Sequence, residues 1–309
     1  PPGVVASPRH DARVTNRSCR TPRSHGAVGA PSSLRFVEGP QILAQTLSVP
    51  AMTRTKNPKP WQYHSRGARH SLTSCWGVLF DLLSHSGLLR EHVATGKVVF
   101  GLDHEMHDYA ANRSKNLDLV IARPSDSGWS KKRAARRFSE LPSLFDMELT
   151  AEQLALLAKL PDPLEGEVGA IHLALEAKAC MTAFTKSYPR LYDELNSSHA
   201  VIHGSSNRAL AVGLAIINVA TEFVSPVGGL NRHKQPKDAI GAIQKVEQLP
   251  RRSGDEGVGY DGLGMVLVDL KNDGSPVTLA STPLVPRNYD YGRMIVRIAN
   301  EYDVRFRNA

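Results

Sequence analysis

Ala170-Ile171-His172-Leu173-Ala174-Leu175-Glu176-Ala177-Lys178-Ala179-Cys180-Met181 has the alternation of a strand. Successive strand side chains point to opposite faces, so Ile171, Leu173, Leu175 and Ala177 share one side and Ala174, Glu176 and Lys178 the other. An acid and a base therefore project together. Upstream, Asn116-Leu-Asp-Leu-Val-Ile-Ala122 reads as a second short strand, with Leu117, Leu119 and Ile121 inward and Asp118 on the opposite face. Two carboxylates and a lysine on neighbouring strands make a seat for a hard cation and a phosphodiester.

The flanking segments supply the rest of a core. Leu72, Cys75, Trp76, Leu79, Phe80, Leu82 and Leu83 recur at helical spacing, which predicts an amphipathic helix over residues 71–89 that ends near Gly87. Residues 97–102 read as a strand, joined to the Asp118 strand by a polar connection. Tyr188-Pro189 suits a helix start, since proline is at home in the first turn. In that helix Tyr192, Asn196, His199 and His203 form a polar stripe, and Leu191, Leu195 and Ile202 an apolar one. The histidines read as satisfied surface groups, or as a face turned to substrate. Residues 209–219 are apolar on both faces, as in a strand buried between helix layers.

The set Asp118 with Glu176-Ala177-Lys178 resembles the core motif of the PD-(D/E)xK nuclease superfamily, which includes many restriction endonucleases and some junction resolvases. The resemblance covers roughly residues 72–220, and Leu117 stands where the family name has proline. Helix, three strands, helix, strand is also the element order of that core. The implied fold class is α/β: a restriction-endonuclease-like core with a central mixed β-sheet flanked by helices, plus an insertion and a C-terminal extension. The resemblance implies Asp118, Glu176 and Lys178 as catalytic residues. It also implies that Asp118, Glu176 and the backbone carbonyl of Ala177 hold one or two Mg2+ ions, with Lys178 orienting the attacking water. The activity that follows is a magnesium-dependent DNA endonuclease of the site-specific, type II restriction kind. Its partner would be double-stranded DNA, bound by a homodimer. A non-catalytic DNA-binding protein on the same fold is the alternative, as is a junction resolvase or other DNA-repair nuclease. An unrelated α/β protein with an accidental motif is the remaining one.

In that frame Asp81 and Glu91, near the first helix, are auxiliary acids that could join the metal site, although such acids are more often solvated. Residues 123–169 interrupt the strand pattern and read as an insertion. Lys131, Lys132, Arg133, Arg136 and Arg137 fall within eight residues there, flanked by Trp129 and Phe138. They are the densest phosphate-contact candidates. Arg113 and Lys115 precede Asp118 closely enough to meet a phosphate, and Lys186 and Arg190 follow the motif. Thr150 with Gln153 resembles a capping box opening a helix through Leu160, with Leu154, Leu157 and Leu160 buried. His104-Glu-Met-His107 does not fit the zinc protease motif, which needs histidines four apart on a helix.

Residues 1–51 read differently from the remainder. They hold six arginines, no lysine, two acids and repeated Pro, Gly and Ser. Such a composition does not offset its ordering entropy. The first methionine is Met52, so the segment reads as a disordered or non-native leader, and a protein starting at Met52 is expected to keep its fold. Residues 52–309 then form a single nuclease-like domain. The chain carries 38 basic and 30 acidic residues, and without the leader 32 and 28 remain. The residual excess is small, so local clustering matters more than net charge. Cys19, Cys75 and Cys180 are widely spaced and form no metal-type pair, and no apolar run suits a membrane span. A reduced, cytoplasmic location with no membrane partner is expected.

Asp269-Leu-Lys271, preceded by Asp261, is a rival acid-x-lysine motif. Lys271 runs into the turn signal Asn-Asp-Gly-Ser-Pro and a second strand, which predicts a hairpin, whereas Lys178 runs into a helix. Glu176 and Lys178 are therefore preferred. The extension, residues 235–309, also predicts helices over 238–248 and 289–302, and reads as peripheral packing, a specificity element or a dimer contact.

Overall fold

Apolar side chains at helical spacing form the first elements of the computed structural model: α1 (Gly39–Ser48), α2 (Arg69–His85) and α3 (Gly87–Ala94). The structure describes residue 3 and residues 37–51, 60–125, 135–253 and 257–308. β1 (Val99–Asp108) and β2 (Arg113–Pro124) follow as a hairpin, then short helices α4 (Leu141–Leu144) and α5 (Ala151–Leu157). The run around Glu176 is β3 (Val168–Cys180). It leads through α6 (Phe184–Ser205) to β4 (Leu210–Asn218). A small hairpin, β5 (Glu222–Ser225) and β6 (Gly229–Arg232), precedes α7 (Lys237–Glu247), β7 (Gly262–Asp269), β8 (Thr278–Leu279) and α8 (Tyr291–Arg305).

These strands make an α/β fold with a central mixed sheet ordered β1-β2-β3-β4-β7-β8. β1, β2 and β3 are antiparallel, β3, β4 and β7 parallel, and β8 antiparallel at the edge. Parallel neighbours need a crossover, and α6 and α7 provide them. All nine residues of β4 are buried, because helices cover both sides. One face packs its Leu173, Leu175, Val212 and Leu214 against α1, α2 and α8; the other packs Ala174, Ala211 and Ala215 against α6 and α7. No helix among the described residues is long and apolar enough to cross a membrane.

Several expectations are corrected. Residues 39–48, placed in the leader, are α1, and Ile42, Leu43 and Leu47 are fully buried. Composition averaged over 51 residues hid a ten-residue amphipathic helix at its end. The region of residues 235–309 is not peripheral: β7 pairs along its length with β4, and α8 seals one core face. The expected hairpin after Lys271 is present as β7 and β8. β1 runs on through His104–His107 in unbroken register with β2, past Asp103, whose φ is 48°. The alternation slips there, so Leu117 packs on the face opposite Leu119. A second irregularity, at Ile121 and Ala122, moves Ile171 to that face too. Pro189 lies inside α6, whose start is set earlier by Ala183 at φ 50°. The proline forgoes one helical hydrogen bond. The Thr150–Gln153 capping box is formed, but α5 ends at Leu157 and Leu154 is 51% exposed. Described residues of the insertion are pinned to α2, where Trp76 Nε1–H donates to Phe138 O at 3.1 Å and the two rings stack.

α1 and α2 cross closely. A Cβ at Gly77 would come within 2.8 Å of Gly39 Cα, so only glycine fits. Each fully buried Leu or Ile contributes about 1.5–3 kcal/mol, and α1 supplies three against a typical total of about 5–15 kcal/mol. A chain beginning at Met52 is therefore expected to lose its cooperative thermal transition, and Gly77→Ala to be destabilised by about 1–3 kcal/mol. A truncated chain that melts like the full one would show α1 to be dispensable.

Candidate active site

β2 and β3 pair as Ile121↔Leu173, Val120↔Ala174 and Leu119↔Leu175. One residue further, this register brings Asp118 opposite Glu176. Directly opposite residues of an antiparallel pair have Cβ atoms about 4.5–5.5 Å apart. The backbone ladder ends at this point, and a side chain replaces it. Asp118 Oδ2 accepts a hydrogen bond from Ala177 N–H at 2.9 Å.

Glu176 is 1% exposed. Lys178 Nζ lies 2.6 Å from its Oε1 and Lys115 Nζ 3.7 Å from the same atom. Oε1 is thus held by both ammonium groups, while Oε2 has no hydrogen-bond partner among the described residues. Burial, then the negative charge of Asp118, push the Glu176 carboxyl up to about 7, against the pull of Lys178. Burial also raises Asp118, opposed by Lys178, the Ala177 N–H and the Ser71 hydroxyl. Lys178 is raised, because its carboxylate neighbours outweigh burial.

A cleft of about 440 Å³ opens beside these groups. Lys178, Ala177, His70, Ser71, Arg190 and Glu194 contribute to its wall, where the first turns of α2 and α6 come together. Lys178 stands between the cleft and Glu176. Burial and the charge of Lys178 lower the His70 imidazole to about 4, so it faces the cleft neutral.

The remaining expected residues are distributed as follows. Lys115 does not point to solvent: its Nζ donates to Glu194 O at 2.6 Å and Ser197 Oγ at 3.0 Å beneath α6. Arg136 is consumed by a two-bond pair with Glu165, both at 2.5 Å, which ties the insertion down. Arg137 is half exposed, 3.7 Å from Asp162. Lys131, Lys132 and Arg133 lie outside the described residues. Lys186 is exposed, and Arg190 is exposed and paired with Glu194 at 2.5 Å. Arg113 pairs with Asp108. Asp81 is not an auxiliary ligand. It is buried and accepts from the N–H groups of Glu38 and Gly39 and from Tyr291 Oη, all at 2.8 Å. It also stands ten residues along α2 from Ser71, roughly 15 Å at 1.5 Å per residue. Glu91 is exposed on α3. His199 and His203 are buried rather than on a surface. His203 Nε2–H donates to Gly259 O at 2.7 Å, while its Nδ1 accepts from Arg252 at 2.8 Å. The rival does not assemble, since Asp261 and Asp269 lie at opposite ends of β7, roughly 25 Å apart. Asp261 is tied to Ala211 N–H and Arg305.

Sequence reasoning missed Glu194, His70 and Ser71. Glu194 lies four residues after Arg190, a helical ion-pair spacing that could have marked it. Neither His70 nor Ser71 carries a local signal.

Among the described residues no three His, Cys, Asp or Glu side chains are grouped to hold a metal ion. The oxygen donors at hand are Asp118, Glu176 and the Ala177 carbonyl. Two carboxylates suit a cation that keeps part of its water shell, as magnesium does. The buried Glu176 Oε2, without a hydrogen-bond partner among the described residues, is the fit. Neither a scan of protein-family models nor searches of curated proteins and of solved structures returns a match for the chain.

A raised carboxyl favours the protonated native form, so its stabilising effect is present below the ordinary carboxylate range and lost as pH rises through about 7. Without divalent ions, the stability of the protein relative to Glu176→Gln is expected to fall between about pH 4.5 and pH 7 and to level off above that. The buried histidines contribute equally to both proteins and cancel. Two melting temperatures that run parallel across this range, in paired thermal scans, would contradict the assignment.

Proposed function

We propose that this chain is a magnesium-dependent endonuclease that hydrolyses phosphodiester bonds of double-stranded DNA. One observation carries the reading: the β2–β3 register that sets Asp118 opposite Glu176, with Lys178 two residues on at the wall of an open cleft. The sequence α2, β1, β2, β3, α6, β4 around it supports the restriction-endonuclease-like form of the PD-(D/E)xK superfamily.

Asp118, Glu176 and the Ala177 carbonyl would hold the ion. Magnesium supplies charge neutralisation at the phosphate and a more acidic water. The side chains supply the remainder. Lys178 orients the attacking water and stabilises charge on the phosphate oxygens from the cleft wall. Arg190 and Lys186, at the start of α6, offer backbone phosphate contacts. The Asp118–Glu176 site supplies one such carboxylate pair, and cutting both strands of a duplex in one event needs two. A two-fold homodimer supplies the second and matches the symmetry of duplex sites. Site-specific cutting of the type II restriction kind is the form we favour, and a junction resolvase or repair nuclease would share the chemistry.

The depth of Glu176 favours a second reading, a DNA-binding protein of the same fold without catalysis. Incubation with plasmid and bacteriophage DNA separates the two. Discrete fragments are expected with magnesium and none without it. Glu176→Gln and Lys178→Ala are each expected to slow cleavage on the order of a hundredfold or more, the size of a lost transition-state contact. DNA affinity in calcium should hold or rise for the glutamine variant, and Asp269→Asn should cut normally. Binding without cleavage in any divalent metal would establish the second reading, and the absence of both would sink the two together.

A further inference from the structure

Lys178 stands between two acids on different elements. Its Nζ is 2.6 Å from Glu176 Oε1 on β3 and 3.5 Å from Glu194 Oε2 on α6. The two acids differ in setting: the Glu176 side chain is 1% exposed and that of Glu194 30%. Glu194 is held in place, since Arg190 Nε lies 2.5 Å from its Oε1 and its backbone carbonyl accepts from Lys115. The Lys178 ammonium thus occupies ground beside Glu176 that a cation bound there would need. Two cations crowded against one carboxylate repel. Glu194 is already within ion-pair distance of the ammonium, so a short movement toward the cleft, which leaves it space, would make Glu194 the nearer acid.

We infer that Glu194 is a positioning residue that receives Lys178: when a divalent cation enters between Asp118 and Glu176, the ammonium passes from Glu176 to Glu194. The metal-free protein is then an ion-paired resting state, and Lys178 competes with the metal until Glu194 takes it. The inference rests on the proposed function only in treating Asp118 and Glu176 as a cation seat. Glu194 acts through Lys178 and not as a ligand, because no third carboxylate among the described residues is grouped with that pair.

Calorimetric titration of the full chain with magnesium alone tests this without reference to cleavage. Lys178→Ala, which removes the competitor, is expected to bind magnesium about fivefold more tightly than the wild type, and Glu194→Gln about fivefold more weakly, the size of a partly exposed ion pair. Glu194→Asp should recover part of that loss. In the double variant the effect of Glu194→Gln should vanish, because its route runs through Lys178. Circular dichroism confirms that each variant is folded. Equal or weaker binding by Lys178→Ala overturns the inference, as does a double variant weaker than Lys178→Ala. Magnesium binding that follows this pattern in a protein that cuts no DNA would leave the inference standing and remove the nuclease reading. No binding by either the wild type or Lys178→Ala overturns both.

Discussion

A carboxylate buried in the middle of a sheet and faced by two ammonium groups is the constraint around which this part of the molecule is arranged. The effective penalty for burying an ion is several kcal/mol, against a total stability of about 5–15 kcal/mol. Glu176 is therefore costly to keep. Lys178 at 2.6 Å and Lys115 at 3.7 Å offset part of the cost, and α6 packs over the same face to anchor both through Glu194. The long crossover helix thus has an electrostatic task as well as a topological one. It joins two parallel strands and carries the group that holds the lysines in place.

The sheet accommodates this arrangement by opening. β2 follows β3 as far as Leu119 and Leu175, after which the Asp118 side chain bonds the Ala177 N–H in place of a backbone carbonyl. On the other side of β2, Asp103 stands opposite Asp118 with a left-handed backbone, between the pairs Leu102↔Leu119 and His104↔Leu117. Backbone ladder bonds are exchanged for a gap that side chains can occupy. The cleft lies where the gap meets the first turns of α2 and α6, so polar groups from three elements converge where the ladder stops.

How much of this could be read from sequence depended on how local each signal was. β3, β4, α7 and the β7–β8 hairpin follow from periodicity and turn residues within each segment, and their ranges agree closely with the structure. The pairing of Asp118 with Glu176 needed only two alternating strands and a resemblance. What was lost depended on distant partners. α1 is amphipathic only in its last ten residues of a basic, proline-rich stretch, and its burial is decided by α2 and α8. Lys115 and Arg136 read as free cations because Glu194 and Glu165, which occupy them, lie 79 and 29 residues away. Nor does a left-handed residue such as Asp103, where the alternation slips and Leu117 reaches the other core face, announce itself in an otherwise regular pattern.

Asp81 and Glu176 show why burial and a shifted titration do not by themselves identify a chemical group. Both are about 1% exposed, and burial pushes both up, Asp81 to about 6 and Glu176 to about 7. They differ in what their oxygens do. Asp81 spends its lone pairs on two backbone N–H groups at the start of α1 and on the Tyr291 hydroxyl, so it caps a helix that has no cap of its own. Glu176 Oε1 is held by the ammonium groups of Lys178 and Lys115, and its Oε2 has no hydrogen-bond partner among the described residues. A saturated acid has no capacity left for a ligand without dismantling the fold around it. An acid with an open oxygen keeps capacity for a further donor or cation. Hydrogen-bond satisfaction, rather than the degree of burial, therefore distinguishes these two acids.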